Sequence, residues 1–192
     1  MTEGIDRQQA AVDDFTGLLC HERRGDAWAG RTPDGDGPVV FGGVGLALTI
    51  SAACADAPAG ARLHSTHAHF LRPVRGGHEI AFRTDVVKAG RTFSLHRVTA
   101  SQDAKPVITM VCSFTRDADG YVYDLSGIPD GVPMPEDIPP PDDPEHEDEA
   151  WAVRWLGPSD LRPDGTREAT HRHWFRLARP LRAQEMMLTP VE

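Results

Sequence analysis

The chain has few cysteines, few lysines and no long apolar run, and each shortage excludes a class of protein. Its three cysteines, Cys20, Cys54 and Cys112, are odd in number, far apart and without a Cys-x-x-Cys pair. That argues against a disulfide framework and a cysteine zinc site, and predicts three buried thiols. No apolar stretch nears the ~20 residues a membrane helix needs. The opening MTEGIDRQQAAVDD is polar and acidic, where a secretory signal is basic and then apolar. These absences predict a cytoplasmic protein without a membrane partner. Only Lys88 and Lys105 accompany the arginines, and nowhere do basic side chains gather into a stripe. Nucleic acid is therefore not an expected partner.

What is present suffices for a folded body. The chain has 192 residues, 40% of them hydrophobic, enough to bury a core without metal or disulfide support. The net charge of −9 is unevenly spread: Met134 to Ala150, MPEDIPPPDDPEHEDEA, holds eight carboxylates and no lysine or arginine. Closely spaced prolines remove backbone donors and like charges repel, so an extended linker is expected there. Three parts follow: a domain over residues 1–125, an acidic Pro-rich linker over 126–150, and a shorter segment over 151–192.

Periodicity supplies the elements. Residues 6–14 read as a short polar helix, residues 15–31 as one or two strand pieces, and TPDGDGP as a loop. Leu46, Ile50, Ala53 and Ala57 recur at helical spacing from Gly42 until Pro58. Gly45, Ala47, Ser51, Ala52 and Ala53 let other backbone approach this helix, which is apolar all round and hence predicted to be buried. Strands follow over 62–71, 78–87, 92–101 and 106–115, separated by Arg75-Gly76-Gly77, Ala89-Gly90 and Gln102-Asp103. In the second, Ile80, Phe82, Thr84 and Val86 alternate with Glu79, Arg83 and Asp85, the pattern of a sheet with one face on a core. A buried helix followed by an antiparallel meander predicts an α+β protein whose sheet wraps the helix, the hot-dog arrangement. Two further strands are predicted over 151–156 and 171–178.

Two features exceed packing. Phe41-Gly42-Gly43 opens the buried helix, and two glycines leave backbone N–H groups uncovered at the positive end of the helix dipole, where an oxyanion can be held. His64, His67 and His69 form the second; strict alternation puts His67 and His69 on one face and His64 on the other. Three ligands for one metal are thus not expected, and neither a metal nor a cofactor is predicted.

Together these segments resemble the acyl-CoA thioesterase II family, the TesB-like double hot-dog proteins. Phe41-Gly42-Gly43 is similar to that family's helix opening, and His64-Ser65-Thr66-His67 followed by Phe70-Leu71-Arg72-Pro73 to its second-strand signature. Gly90-Arg91-Thr92-Phe93-Ser94, Arg97-Val98, Lys105-Pro106-Val107-Ile108 and Ser113-Phe114 continue it in order. Pro133-Met134-Pro135-Glu136 and His171-Arg172-His173-Trp174-Phe175-Arg176 are similar to its inter-domain segment and to the opening strand of its second hot dog. The resemblance implies hydrolysis of an acyl-CoA or acyl-carrier thioester, with a second, incomplete hot dog here.

It also implies that an Asp, a Thr and a Gln of the second hot dog position the attacking water. None of them has a matching position before Glu192, so a second hot-dog chain, in a homodimer or heterodimer, is expected to supply the base. By the same resemblance His67 is the candidate catalytic residue, orienting water or acting as base. Phe41, Gly42, Gly43, Val44, Arg72, Arg91 and Ser94 are the candidate substrate-binding residues, with Arg72 and Arg91 toward CoA phosphates. Val44 and Leu48 stand where the family has polar side chains. The alternatives are a non-catalytic thioester-binding or scaffold subunit, and a hot dog redirected to dehydration or cyclisation with His67 as base.

Overall fold

A computed structural model describes residues 2–34, 37–116, 121, 123, 127–139, 150–156 and 172–181. Residues 140–149 of the expected acidic linker lie outside these, as does the chain beyond residue 181. The described residues fall into two compact units, one of residues 16–116, the other of residues 2–15 with 121–181.

The first unit is built on one helix and six strands. Helix α1 runs Thr2–Leu18, followed by the short hairpin β1 (Glu22–Arg24) and β2 (Ala27–Arg31), helix α2 (Gly42–Ala55), and strands β3 (Arg62–Phe70), β4 (Glu79–Lys88), β5 (Phe93–Gln102) and β6 (Lys105–Thr115). The strands form one antiparallel sheet in the order β1-β2-β4-β5-β6-β3. The predicted meander is present, but its first strand closes back beside the last, so β3 becomes an edge. The short helix expected over 6–14 is longer, and its last turn takes residues 15–18, which were expected in a strand. Ile5, Val12, Phe15 and Leu19 recur at helical spacing there, which outweighs the aromatic and leucine content that suggested a strand.

The sheet curves around α2. Bulges between Leu63 and Ser65, between Val86 and Lys88, and between Ala100 and Ser101 interrupt the ladders and sharpen their twist. On the inner face Ile80, Phe82, Val98, Met110 and Phe114 pack with Leu48, Ala52 and Ala53 of α2. Helix and sheet meet closely because Gly45 has no side chain: a Cβ there would stand 3.0 Å from Ile108 Cδ1 and 3.4 Å from Val74 Cγ2. Thr49, buried one turn on, donates to the Gly45 carbonyl at 2.7 Å and so satisfies its own hydroxyl.

Two histidines are enclosed in this unit. The Leu48 carbonyl can only accept, so His21 carries its proton on Nε2, 2.9 Å away, and its bare Nδ1 is buried over the Phe82 ring. His96, 2% exposed, lies on the inner face beside Phe114. Burial lowers the pKa of both, opposed at His21 by the Leu48 hydrogen bond and at His96 by the charge of Asp56.

The second unit pairs strands β7 (Trp151–Trp155) and β8 (His173–Leu177) antiparallel. One face of this ribbon carries Trp151, Trp155, His173 and Phe175 in ring contact, with Phe15 of α1 edge-on to Trp151 at 5.5 Å. A 3-10 turn, Pro135–Asp137, precedes it. None of the described helices is long and apolar enough to cross a membrane.

Replacing Leu48 by Ala removes the fully buried side chain at the middle of α2, and its stability in urea should fall by about 3 kcal/mol. A fall below ~1 kcal/mol would show that α2 does not anchor the core. For the histidines the sign follows from neutral imidazoles in the folded state and the ordinary histidine value of 6.5 when unfolded. Below that value the unfolded chain binds more protons, so their stabilising contribution is present above pH 6.5 and is lost as the pH falls toward the lowered folded values. Urea midpoints measured from pH 7.5 to 5.5 should decline, and less steeply in a His96→Phe variant; an equal slope in that variant would dismiss the role of His96.

Candidate functional site

The site forms where α2 begins. Phe41, at φ −55° and ψ 134°, caps the helix without a side-chain hydrogen bond, and the first turn holds no acidic residue. The leading N–H groups of α2 are thus left without side-chain acceptors at the positive end of a buried helix. The Val44 N–H is already engaged, donating to the Phe41 carbonyl at 2.9 Å. Both glycines are explained by close approach. A Cβ on Gly42 would touch the Phe70 ring at 3.5 Å, and one on Gly43 would meet the Phe41 ring at 2.5 Å. Phe41 is 81% exposed, so its ring can swing aside, whereas any side chain on Gly43 competes for the space over the donors.

The loop after β3 is clamped beside this site. The Leu71 and Arg72 N–H groups donate to the Val107 carbonyl, and the Arg72 guanidinium donates to the Pro106 carbonyl. Buried Gln102 holds Arg75 through both its backbone groups, at 2.9 and 3.0 Å, and the Val40 N–H donates to the Val74 carbonyl. Phe41, Gly42, Gly43, Val44 and Arg72 are thereby gathered at one end of α2, with Phe70.

Three of the candidate residues lie elsewhere. Ser94 is buried at the start of β5 opposite Phe114, and its hydroxyl donates weakly to the Gly90 carbonyl at 3.4 Å. The Arg116 guanidinium donates both to the Arg91 carbonyl and to the Ala59 carbonyl beyond the end of α2. Arg91 and Ser94 therefore sit at the C-terminal end of the helix, roughly 20 Å from Gly42 at 1.5 Å rise per residue. His67 lies on the outer face of the sheet: Ala68, its neighbour, packs on the core opposite buried Met110, whereas His67 stands opposite exposed Val111. Its ring lies 4.7 Å from that of His69, on the side away from α2.

The bulge after Leu63 also shifts the phase at His64, whose ring packs on Phe93 instead of entering the core. This corrects the alternation that set His64 opposite His67. Among the described residues no group of three histidine, cysteine or acidic side chains could hold a metal. The thiols differ from the expectation of three buried groups: Cys112 is buried, Cys54 half-buried and Cys20 exposed. Burial pushes Cys112 up to about 12, with Cys54 adding to the rise, and burial raises Cys54 too, so neither is poised as a nucleophile. Arg97 is held by Asp85 at 2.9 Å, and Asp56 by Arg23 at 2.7 Å.

A six-stranded antiparallel sheet wrapped around one buried helix, with uncapped donors at the helix N-terminus, defines a hot-dog domain. Residues 30–115 match the acyl-CoA thioesterase N-terminal domain family. The chain is 35% identical over 99 residues to acyl-CoA thioesterase 2 of Haemophilus influenzae, a stretch covering 52% of this chain and 34% of that protein. Among solved structures, the tesB protein of Mycobacterium avium subs paratuberculosis has a TM-score of 0.70 at 25% identity, covering 92% of this chain and 67% of that one. A hot-dog protein of unknown function from Alicyclobacillus acidocaldarius has a TM-score of 0.73 at 20% identity, covering 91% and 67%. The stretch matched to the curated relative spans about a third of that protein's length.

Gly43→Ala tests the donor site apart from the fold. Alanine favours a helix by up to about 1 kcal/mol over glycine, so the melting temperature should hold or rise. Affinity for a non-hydrolysable acyl-CoA should drop about tenfold, because the added methyl group crowds the space over the N–H donors. Unchanged affinity in calorimetry would place the thioester elsewhere.

Proposed function

We propose that the chain is an acyl-CoA hydrolase or a subunit of one, in which the N–H groups at Gly42 and Gly43 hold the thioester oxygen as it becomes an oxyanion. The observation that carries this reading is the uncapped N-terminus of buried α2 within a domain of the thioesterase family. Donors fixed by a helix and enclosed by apolar side chains need no reorganisation when charge develops, which is the usual source of the largest rate effect in acyl transfer. Phe41 and Phe70 offer the apolar surface that an acyl chain would lie against.

The base that activates water comes, in this reading, from a second hot-dog domain. Among the described residues, the side chains nearest to Gly42, Gly43 and Gly45, those of Phe70, Phe41, Ile108 and Val74, carry no proton acceptor, and His67 faces away. Strand β3 pairs with β6 along one side and is an edge of the described sheet, so a partner domain can add there and face the site. A non-catalytic thioester-binding subunit is the second reading, favoured by the apolar Val44 in the first turn of the helix. The dehydration or cyclisation reading relied on His67 near the helix and has no geometric support.

Thioester hydrolysis followed by thiol release with short, medium and long acyl-CoA, using the chain alone and with a second hot-dog chain, should show turnover. Gly43→Ala, whose methyl group crowds the oxyanion donors without removing an N–H, should reduce kcat about tenfold, less than the roughly 10²–10³ that loss of a donor costs, and His67→Ala should leave kcat within about twofold. Binding without turnover under every condition would leave the non-catalytic reading in its place.

A further inference from the structure

We propose that His67 and His69 chelate one divalent transition ion of tetragonal preference, copper(II) or nickel(II), on the outer face of the sheet. Residues two apart on a strand share a face and stand about 6.8 Å apart along it. His67 and His69 therefore project side by side from β3, on the side away from α2, while Ala68 between them packs on the core. Their ring centres lie 4.7 Å apart, with the planes at 73°. A metal–nitrogen bond of about 2.1 Å puts an ion about 3.25 Å from the ring centre, so two imidazoles at right angles around it have centres about 4.6 Å apart, against about 5.3 Å in a tetrahedron. The observed spacing matches the right-angled pair. Copper(II) and nickel(II) take that arrangement from nitrogen and oxygen donors, and imidazole suits both.

The surroundings leave the pair open to an ion. Both histidines are exposed, and among the described residues no hydrogen bond or ion pair engages either ring. Opposite them on β6 stand Val111 and Thr109, which are short and uncharged. Further along the same two rows the cations are answered, Arg97 by Asp85 at 2.9 Å and Arg83 by Asp26. A divalent ion at the pair thus meets no unpaired positive charge across these rows. On the other side β3 is an edge of the described sheet, so the remaining coordination positions face solvent and take water. No third protein ligand joins the pair among the described residues, which distinguishes it from a closed structural site. Histidine χ2 is broad, so both rings can turn a nitrogen onto one ion. Once the first imidazole has bound, the strand holds the second at high effective concentration, which favours chelation over two separate contacts.

The test is titration of the full, untagged chain with nickel(II) and with copper(II), read by calorimetry, with magnesium as the control ion because it takes oxygen ligands. Each transition ion should bind and magnesium should not. His67→Asn and His69→Asn should each weaken binding at least about tenfold, since either loss breaks the chelate. His64→Asn, whose ring packs on Phe93, should leave binding unchanged. Circular dichroism should show all three variants folded like the parent. Should one fail to fold, copper(II) at less than one equivalent in the parent decides the matter: it should broaden the amide signals of residues 66–70 first, and broadening centred elsewhere overturns the assignment. No binding of either ion, equal binding of magnesium, an equal loss in His64→Asn, or binding that survives replacement of either histidine would also overturn it. Because the pair lies on the face away from α2, the outcome is independent of the hydrolase reading.

Discussion

The distance between α2 and the sheet is the constraint on which the rest of this domain depends. Gly45 sets it, because Ile108 and Val74 occupy the space a side chain would need. At that distance Leu48 reaches the centre of the core and its carbonyl comes within reach of His21. The same contact with Val74 ties the helix to the loop after β3, which Gln102 and Thr32 hold by its carbonyl at Arg75. The start of α2, and with it the candidate site, is therefore positioned by core packing and not by a flexible loop. A site whose donors are backbone groups gains most from this, since their direction is fixed by the helix itself.

The two ends of α2 are treated oppositely. At its C-terminus Arg23 meets Asp56, and Arg116 donates to the Ala59 carbonyl, so cations gather at the negative end of the dipole. At its N-terminus neither an acidic residue nor a capping side chain intervenes, and aromatic rings stand over the glycines. A helix that is answered at one end and left open at the other is stabilised without closing the end that can bind an anion. Val44, half-buried in the first turn, adds apolar surface beside the N–H donors and no side-chain donor of its own.

Much of this was legible in the sequence because the signals were local. The spacing of Leu46, Ile50 and Ala53 announced a helix, and Gly76-Gly77 and Gln102-Asp103 marked the ends of strands within a residue or two. The Asp103-Ala104 pair turns the β5–β6 hairpin with φ of 48° and 59° at its two residues, a left-handed pair for which alanine gives no cue. What escaped was set by pairing. The bulge after Leu63 has no sequence mark, yet it decides which face His64 occupies. Arg91 and Ser94 belong to a recognisable motif, but only the register of β5 with β6 shows that the motif lies at the far end of the helix. A motif gives the order of residues along the chain, and the antiparallel fold then separates neighbours in that list by the length of α2.

One geometric fact links assembly to chemistry. Strand β3 ends at Phe70, and the Phe70 ring lies against Gly42, so the edge of the sheet and the open end of α2 are adjacent. An edge strand exposes backbone N–H and C=O groups that favour pairing with another strand, and the exposed rings of Phe41 and Phe70 favour cover by apolar surface. A partner that satisfies the first requirement by adding along β3 is carried by that pairing to the place where it satisfies the second. It then also excludes water from the donors and sets its own side chains across from the thioester. In the hydrolase reading, association and completion of the site are thus a single event: the same β3 edge that makes the lone domain prone to pair delivers the base it does not itself present at the start of α2.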